Sequence, residues 1–125
     1  MPNDFRVIDE KLDDARQAVA VSGEIDLFTA PEFKQRVTEL IDTGTSQLVI
    51  DLTQTTFLDS TGLGVLIGAV KRLRSRQGEL VIVNTDETIA KTFEITGLDQ
   101  IFTIRTTREE AIAAFTDAGG RVPSS

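Results

Sequence analysis

Hydrophobic and polar positions along this chain switch between two periods. Residues 5–10 and 18–22 carry short strand patterns, and the polar stretch Lys11-Leu12-Asp13-Asp14-Ala15-Arg16 between them predicts a hairpin whose second strand stops at Gly23. After Glu24-Ile25-Asp26-Leu27-Phe28, the run Thr29-Ala30-Pro31-Glu32 offers an N-cap hydroxyl, an early proline and a glutamate placed to reach back. That capping box predicts a helix start. Phe33, Val37, Leu40 and Ile41 give the helix one apolar face, and Gly44 suits a left-handed stop. Leu48-Val49-Ile50-Asp51-Leu52 is almost continuously apolar, as in a strand covered on both faces, and belongs in the middle of a sheet.

Residues 53–59 read as a loop leading into a second helix over about 61–76. Leu63, Leu66, Ile67, Val70 and Leu73 repeat at helical spacing there, and Gly78 closes the element. Residues 80–83 form another buried strand pattern. Residues 87–95 form a short helix with Ile89, Ala90 and Phe93 inward and Gly97 at its end, and residues 101–105 a brief last strand. Thr107 and Glu110 repeat the capping-box spacing and open a final helix to about residue 115. The Gly-, Pro- and Ser-bearing residues 117–125 read as a disordered tail. This order predicts one α/β domain over residues 1–116, with a mixed, mostly parallel sheet of about five strands, about four helices and right-handed crossovers after the opening hairpin.

Composition narrows the chemistry. With 125 residues, 40% hydrophobic and 26% charged, the chain suits a single globular domain. It has no Trp, Tyr, Cys or His, so its core is aliphatic plus seven Phe. Disulfides and thiolate metal sites are ruled out, and the commonest general base and transition-metal ligand are missing. No cofactor or metal is expected. A net charge of −7 and a pI near 4.5 oppose nucleic-acid binding and favour a protein partner. The apolar run 63–70 is far shorter than the roughly 20 residues of a membrane span. An acidic start, Met1-Pro2-Asn3-Asp4, with no apolar signal segment behind it, leads us to expect a cytoplasmic protein. The basic run Lys71-Arg72-Leu73-Arg74-Ser75-Arg76 reads either as a docking patch or, as we prefer, as cations complementing a helix C-terminus.

The informative segment is Phe57-Leu58-Asp59-Ser60-Thr61-Gly62-Leu63-Gly64-Val65-Leu66, which sets hydroxyls at a helix start and glycines inside the helix. A glycine in a helix interior costs roughly 1 kcal/mol against alanine, so Gly62, Gly64 and Gly68 call for close backbone approach by the sheet or by a partner. Gly64 and Gly68 share a face, which favours tight helix-on-sheet packing. Ser60 stands where an N-cap belongs. A phosphate there would add about −1.5 to −2 charges beside Asp59 and could leave the fold intact. A hydrolase nucleophile is a poor alternative, because the glycine two residues before the serine and any histidine base are absent.

The segment Leu58-Asp59-Ser60-Thr61-Gly62-Leu63-Gly64-Val65-Leu66 closely resembles the signature of the STAS domain anti-sigma factor antagonists. Gly23-Glu24-Ile25-Asp26 with Thr29-Ala30, Leu48 to Leu52, and Ile95-Thr96-Gly97-Leu98 resemble further family segments in the right order. The resemblance implies a STAS-type fold and a partner-switching cycle. The unphosphorylated antagonist binds an anti-sigma factor that is also a serine kinase, and the sigma factor is released. Phosphorylation at Ser60 inactivates the antagonist, and a PP2C-type phosphatase restores it. Thr61 is a possible second phosphosite. Asp26, Asp59, Ser60, Thr61, Gly62 and Leu63 are the implied partner-binding residues, on a protein that is not an enzyme and is monomeric when free. The alternative is a scaffold or regulatory STAS module of a stress-signalling assembly. A transporter's regulatory domain is disfavoured by the lack of a membrane segment.

Overall fold

The apolar run at residues 48–52 forms the middle of a five-stranded sheet, and the direction of its alternate side chains decides what covers each face. The computed structural model describes residues 5–115. In chain order the elements are β1 (Arg6–Lys11), β2 (Arg16–Ile25), α1 (Ala30–Asp42), β3 (Gln47–Leu58), α2 (Ser60–Arg74), β4 (Glu79–Val83), α3 (Glu87–Ile95), a 3-10 turn at Leu98–Gln100, β5 (Thr103–Arg105) and α4 (Arg108–Ala114). The strands lie in the order β1-β2-β3-β4-β5, with β1 antiparallel to β2 and all other neighbours parallel. The predicted mixed, mostly parallel sheet with four helices therefore forms within the described residues. The predicted tail at 117–125 lies outside them.

Side chains alternate across a strand. Leu48, Ile50 and Leu52 join Val19, Val21, Leu80 and Ile82 on one face, covered by Phe33 and Val37 of α1, Leu66 and Leu73 of α2, and Phe93 of α3. Val49 joins Ala18, Val81 and Val83 on the other face, beneath Ala111 and Phe115 at α4. Asp51 also points to this second face and is almost fully buried. Arg108, the first residue of α4, answers it. Its Nε donates to Asp51 Oδ2 at 2.9 Å and its Nη1 to Glu10 Oε1 at 2.8 Å, tying α4 to β3 and β1.

Four local expectations are corrected. First, residues 53–58 are not a loop, because β3 runs on to Leu58. Threonines favour strands through their β-branching. Thr55 is buried with its hydroxyl donating to Val21 O at 2.8 Å. β4 ends at Val83 opposite Asp51, so beyond that rung β3 is paired to β2 alone and needs no continuous apolar run. Second, β2 does not stop at Gly23. The glycine takes φ 92° at an irregularity in the register, and the strand resumes to Ile25. Third, Thr29 occupies the N-cap of α1 but makes no side-chain cap bond. Its hydroxyl is instead drawn to Glu24 O at 2.7 Å. Fourth, the last strand is only Thr103–Arg105, leaving Ile101 exposed before it. Of the capping box predicted at Thr107 and Glu110 one half forms, with Glu110 N donating to Thr107 Oγ1 at 3.0 Å, while the Glu110 carboxylate reaches one residue further back and accepts from Thr106 N and Oγ1.

The glycines of α2 divide differently from expectation. A Cβ on Gly62 would lie against Leu58 Cδ1 and 2.6 Å from Ile25 Cγ2, so this is the position of close approach to the sheet. Gly64 and Gly68 face open space, with nothing within 4 Å of an added Cβ. Accordingly, Gly62→Val should destabilise the fold by about 1–3 kcal/mol through overpacking. Gly64→Ala and Gly68→Ala should each stabilise it by up to about 1 kcal/mol. Urea midpoints of the three variants check this; equal losses at all three would refute the division.

Burial alone would push the Asp51 carboxyl up, but hydrogen bonds from the Thr53 hydroxyl and amide and from Arg108 outweigh it and hold the carboxyl below its ordinary value. A carboxyl lowered by folding stabilises the fold above its unfolded pKa, about 3.9, and that contribution is lost as pH falls through the folded value. Arg108→Ala should cost about 1–2 kcal/mol at pH 7. It should also flatten the fall in stability below about pH 4. Unfolding curves at pH 7 and pH 3 provide the comparison, and an unchanged pH dependence in the variant would count against the pairing.

Candidate functional site

Beyond the ends of β4 and β1 the β2/β3 pair continues as a two-stranded ribbon, and both strands hand over to helices at its end. Ile25 is paired with Leu58, and the next amide, Asp59 N, donates to Ile25 O at 3.1 Å. This bond holds the β2–α1 loop and the β3–α2 junction side by side. Each junction is then folded by its own aspartate.

At the β3–α2 junction the N-cap is Asp59 and not Ser60, contrary to the sequence expectation. Asp59 is extended at φ −101°, ψ −173°, and its Oδ1 accepts from Thr61 N at 2.9 Å and Gly62 N at 3.1 Å. Both residue types are good caps. The ladder bond to Ile25 fixes the extended conformation at Asp59, so the helix begins at Ser60, one residue earlier than expected. Ser60 is thus the first helical residue, exposed, and its hydroxyl is in no hydrogen bond with another described residue. Thr61 is half-buried beside it. Gly62 and Leu63 point inward, Gly62 against Ile25 and Leu58 and Leu63 into the main core, so both support the junction from beneath.

At the β2–α1 junction Asp26 is half-buried, and its Oδ1 accepts from Phe28 N at 2.9 Å and Thr29 N at 3.0 Å. Thr29 Oγ1 accepts from Asp26 N at 2.9 Å and closes the turn. Asp26 therefore shapes its loop, while the side chains that reach solvent are Leu27, 65% exposed, and Phe28, 88% exposed. Reasoning from the sequence passed over this pair. The signal was there: Leu27 and Phe28 fall between a turn-forming Asp and a helix start, outside the apolar face formed by Phe33, Val37 and Ile41.

Leu27 and Thr61 also stand on a cleft of about 600 Å³ between α1 and α2, shared with Ala30, Lys34, Gly64 and Gly68. The two open glycines are part of its wall. The basic run lies at the far end of α2. Arg72 and Arg76 pair with Asp42 at 3.2 Å, Arg76 also donates to Ile41 O, and Arg74 donates to Ile101 O. These cations brace neighbouring elements away from Ser60. Among the described residues, no group of three or more acidic side chains is placed to hold a metal ion, and no helix is long and apolar enough to cross a membrane.

The STAS domain profile matches residues 9–111. The anti-sigma-B factor antagonist of Listeria monocytogenes is 44% identical over 92 residues, covering 74% of this chain and 81% of that protein. The crystal structure of an anti-sigma factor antagonist from Mycobacterium paratuberculosis superposes with a TM-score of 0.82 at 32% identity, covering 91% of this chain and 96% of that one. The unphosphorylated form of the antagonist SpoIIAA shares the fold, with a TM-score of 0.75 at 23% identity over 95% of this chain and 99% of that one. With a profile spanning most of the domain and relatives at this level of identity, the chain belongs to the STAS domain family of anti-sigma factor antagonists.

Proposed function

We infer that this protein is a binding switch controlled by a phosphate on Ser60. In the unphosphorylated state it binds an anti-sigma factor that is also a serine kinase, and the sigma factor is set free. ATP-dependent phosphorylation of Ser60 ends that binding, and a PP2C-type phosphatase reverses it. The protein works in the cytoplasm as a monomer and has no catalytic role of its own: Ser60 is a substrate. The observation carrying this reading is the position of Ser60, exposed and without a hydrogen-bond partner among the described residues, on a helix start whose cap is supplied by Asp59.

The chemistry is electrostatic. A phosphoserine carries about −1.5 to −2 charges at neutral pH, and here it would stand next to the Asp59 carboxylate. On a free surface that density is tolerated by water. Against a docked protein it becomes desolvated, partly unpaired charge, which is strongly unfavourable. A hundredfold loss of affinity corresponds to about 2.7 kcal/mol, well within reach of two clashing anions. Asp26 and Asp59 contribute to partner binding by setting the two loops, and Gly62 and Leu63 by holding them from below. Thr61 is half-buried and a poorer acceptor than Ser60.

The test is intact-mass spectrometry after incubation with ATP and each candidate anti-sigma factor kinase of the host, followed by peptide mapping of residues 57–71. One phosphate on Ser60 is expected, absent from Ser60→Ala, which should stay bound to the kinase and release the sigma factor constitutively. Ser60→Asp should bind more weakly than the wild type. No phosphorylation by kinases shown to be active on another antagonist would reduce the function to an interaction module without this switch.

A further inference from the structure

We propose that Leu27 and Phe28 form an apolar anchor that selects the partner, inserting into an apolar pocket on the anti-sigma factor kinase independently of the phosphate switch. This inference rests on the function proposed above. Three observations carry it. The first is exposure: the Phe28 ring is 88% exposed and Leu27 65%, and neither belongs to either core cluster of the fold. The fold does not need them. The turn is made by the Asp26 carboxylate and the Thr29 hydroxyl, through bonds to backbone atoms that would accept polar side chains at both positions equally well.

The second observation is rigidity. Phe28 N and Thr29 N both donate to Asp26 Oδ1, Asp26 N donates to Thr29 Oγ1, and Ala30 N donates to Asp26 O. An aromatic side chain held on a fixed turn loses little freedom on docking, which is what makes such residues effective anchors. The third is continuity with the phosphorylation site. Leu27 shares the α1/α2 cleft with Thr61, and Ile25, two residues before Leu27, holds Asp59 by its carbonyl. A partner presenting a kinase site to Ser60 would therefore pass over Leu27 and Phe28. On a chain of net charge −7 this pair is a neutral, hydrophobic contribution set beside an electrostatic one. The two act separately, the anchor setting which kinase is bound and the phosphate setting whether it is bound.

The experiment measures affinity of the full chain for the kinase that phosphorylates Ser60, using wild type, Phe28→Ser, Leu27→Ser, Ser60→Asp and the double variant Phe28→Ser/Ser60→Asp. Phe28→Ser should weaken binding about thirtyfold with an unchanged melting temperature. The Ser60→Asp effect should be the same factor in both backgrounds, because independent contacts add. Wild-type affinity for Phe28→Ser and Leu27→Ser, with Ser60 still phosphorylated, would overturn the anchor and leave the switch standing. No binding by wild type would show instead that the underlying reading had failed, and the anchor with it. A wild-type dimer in sizing chromatography that dissociates in Phe28→Ser would assign the pair to a second copy of this chain and also overturn the proposal.

Discussion

The hydrogen bond from the Asp59 amide to the Ile25 carbonyl is the last rung joining β2 to β3, and the arrangement of the end that carries Ser60 depends on it. Without it the two junctions would be separate loops with separate freedom. With it, Asp59 is held extended and can cap α2, Ser60 becomes the first helical residue, and the β2–α1 turn is anchored alongside. Gly62 belongs to the same construction, since its missing side chain is what lets α2 settle onto Ile25 and Leu58.

The two ends of the molecule use charge differently. At the end that carries Ser60, Asp26 and Asp59 spend their carboxylates on backbone amides, which orders loops and leaves hydroxyl and apolar side chains to face outward. Several carboxylates elsewhere are matched by arginines: Asp42 by Arg72 and Arg76, Asp9 by Arg36, and Asp51 with Glu10 by Arg108. The most buried of these acids, Asp51, accepts from the Thr53 amide and hydroxyl as well as from Arg108, as a carboxylate taken out of water requires.

Where apolar period and local chemistry coincide, the chain could be read directly. The run at 48–52, the inward positions Ile89 and Phe93 of α3, and the cap at Thr107 stand where the pattern places them. The polar half of β3 was hidden because a strand with one neighbour has no need of the apolar pattern that marks a central one. The choice between Asp59 and Ser60 as cap was hidden for another reason. Both side chains suit the role, and a long-range ladder bond decides between them. The glycines lay within reach of the sequence: the period that turns Leu66, Ala69 and Leu73 inward also turns Gly62 inward and leaves Gly64 and Gly68 on the flank. Of the candidate site residues, Ser60 and its neighbours stood out through the signature, whereas Leu27 and Phe28 carried only the weaker signal of apolar residues outside the apolar face of α1.

Because Asp59 supplies the cap, the hydroxyl of Ser60 holds nothing in place among the described residues. A mark placed on it is written on a residue the fold does not use. Had the serine been the cap, each modification would have taken away a helix-terminal hydrogen bond, and the marked molecules would be the ones more exposed to proteases. With the cap one residue upstream, a group added to the Ser60 hydroxyl would take none of the cap bonds away from the fold. The abundance of such a form would then be set by the reactions that add and remove the group and not by a difference in how readily the helix start opens.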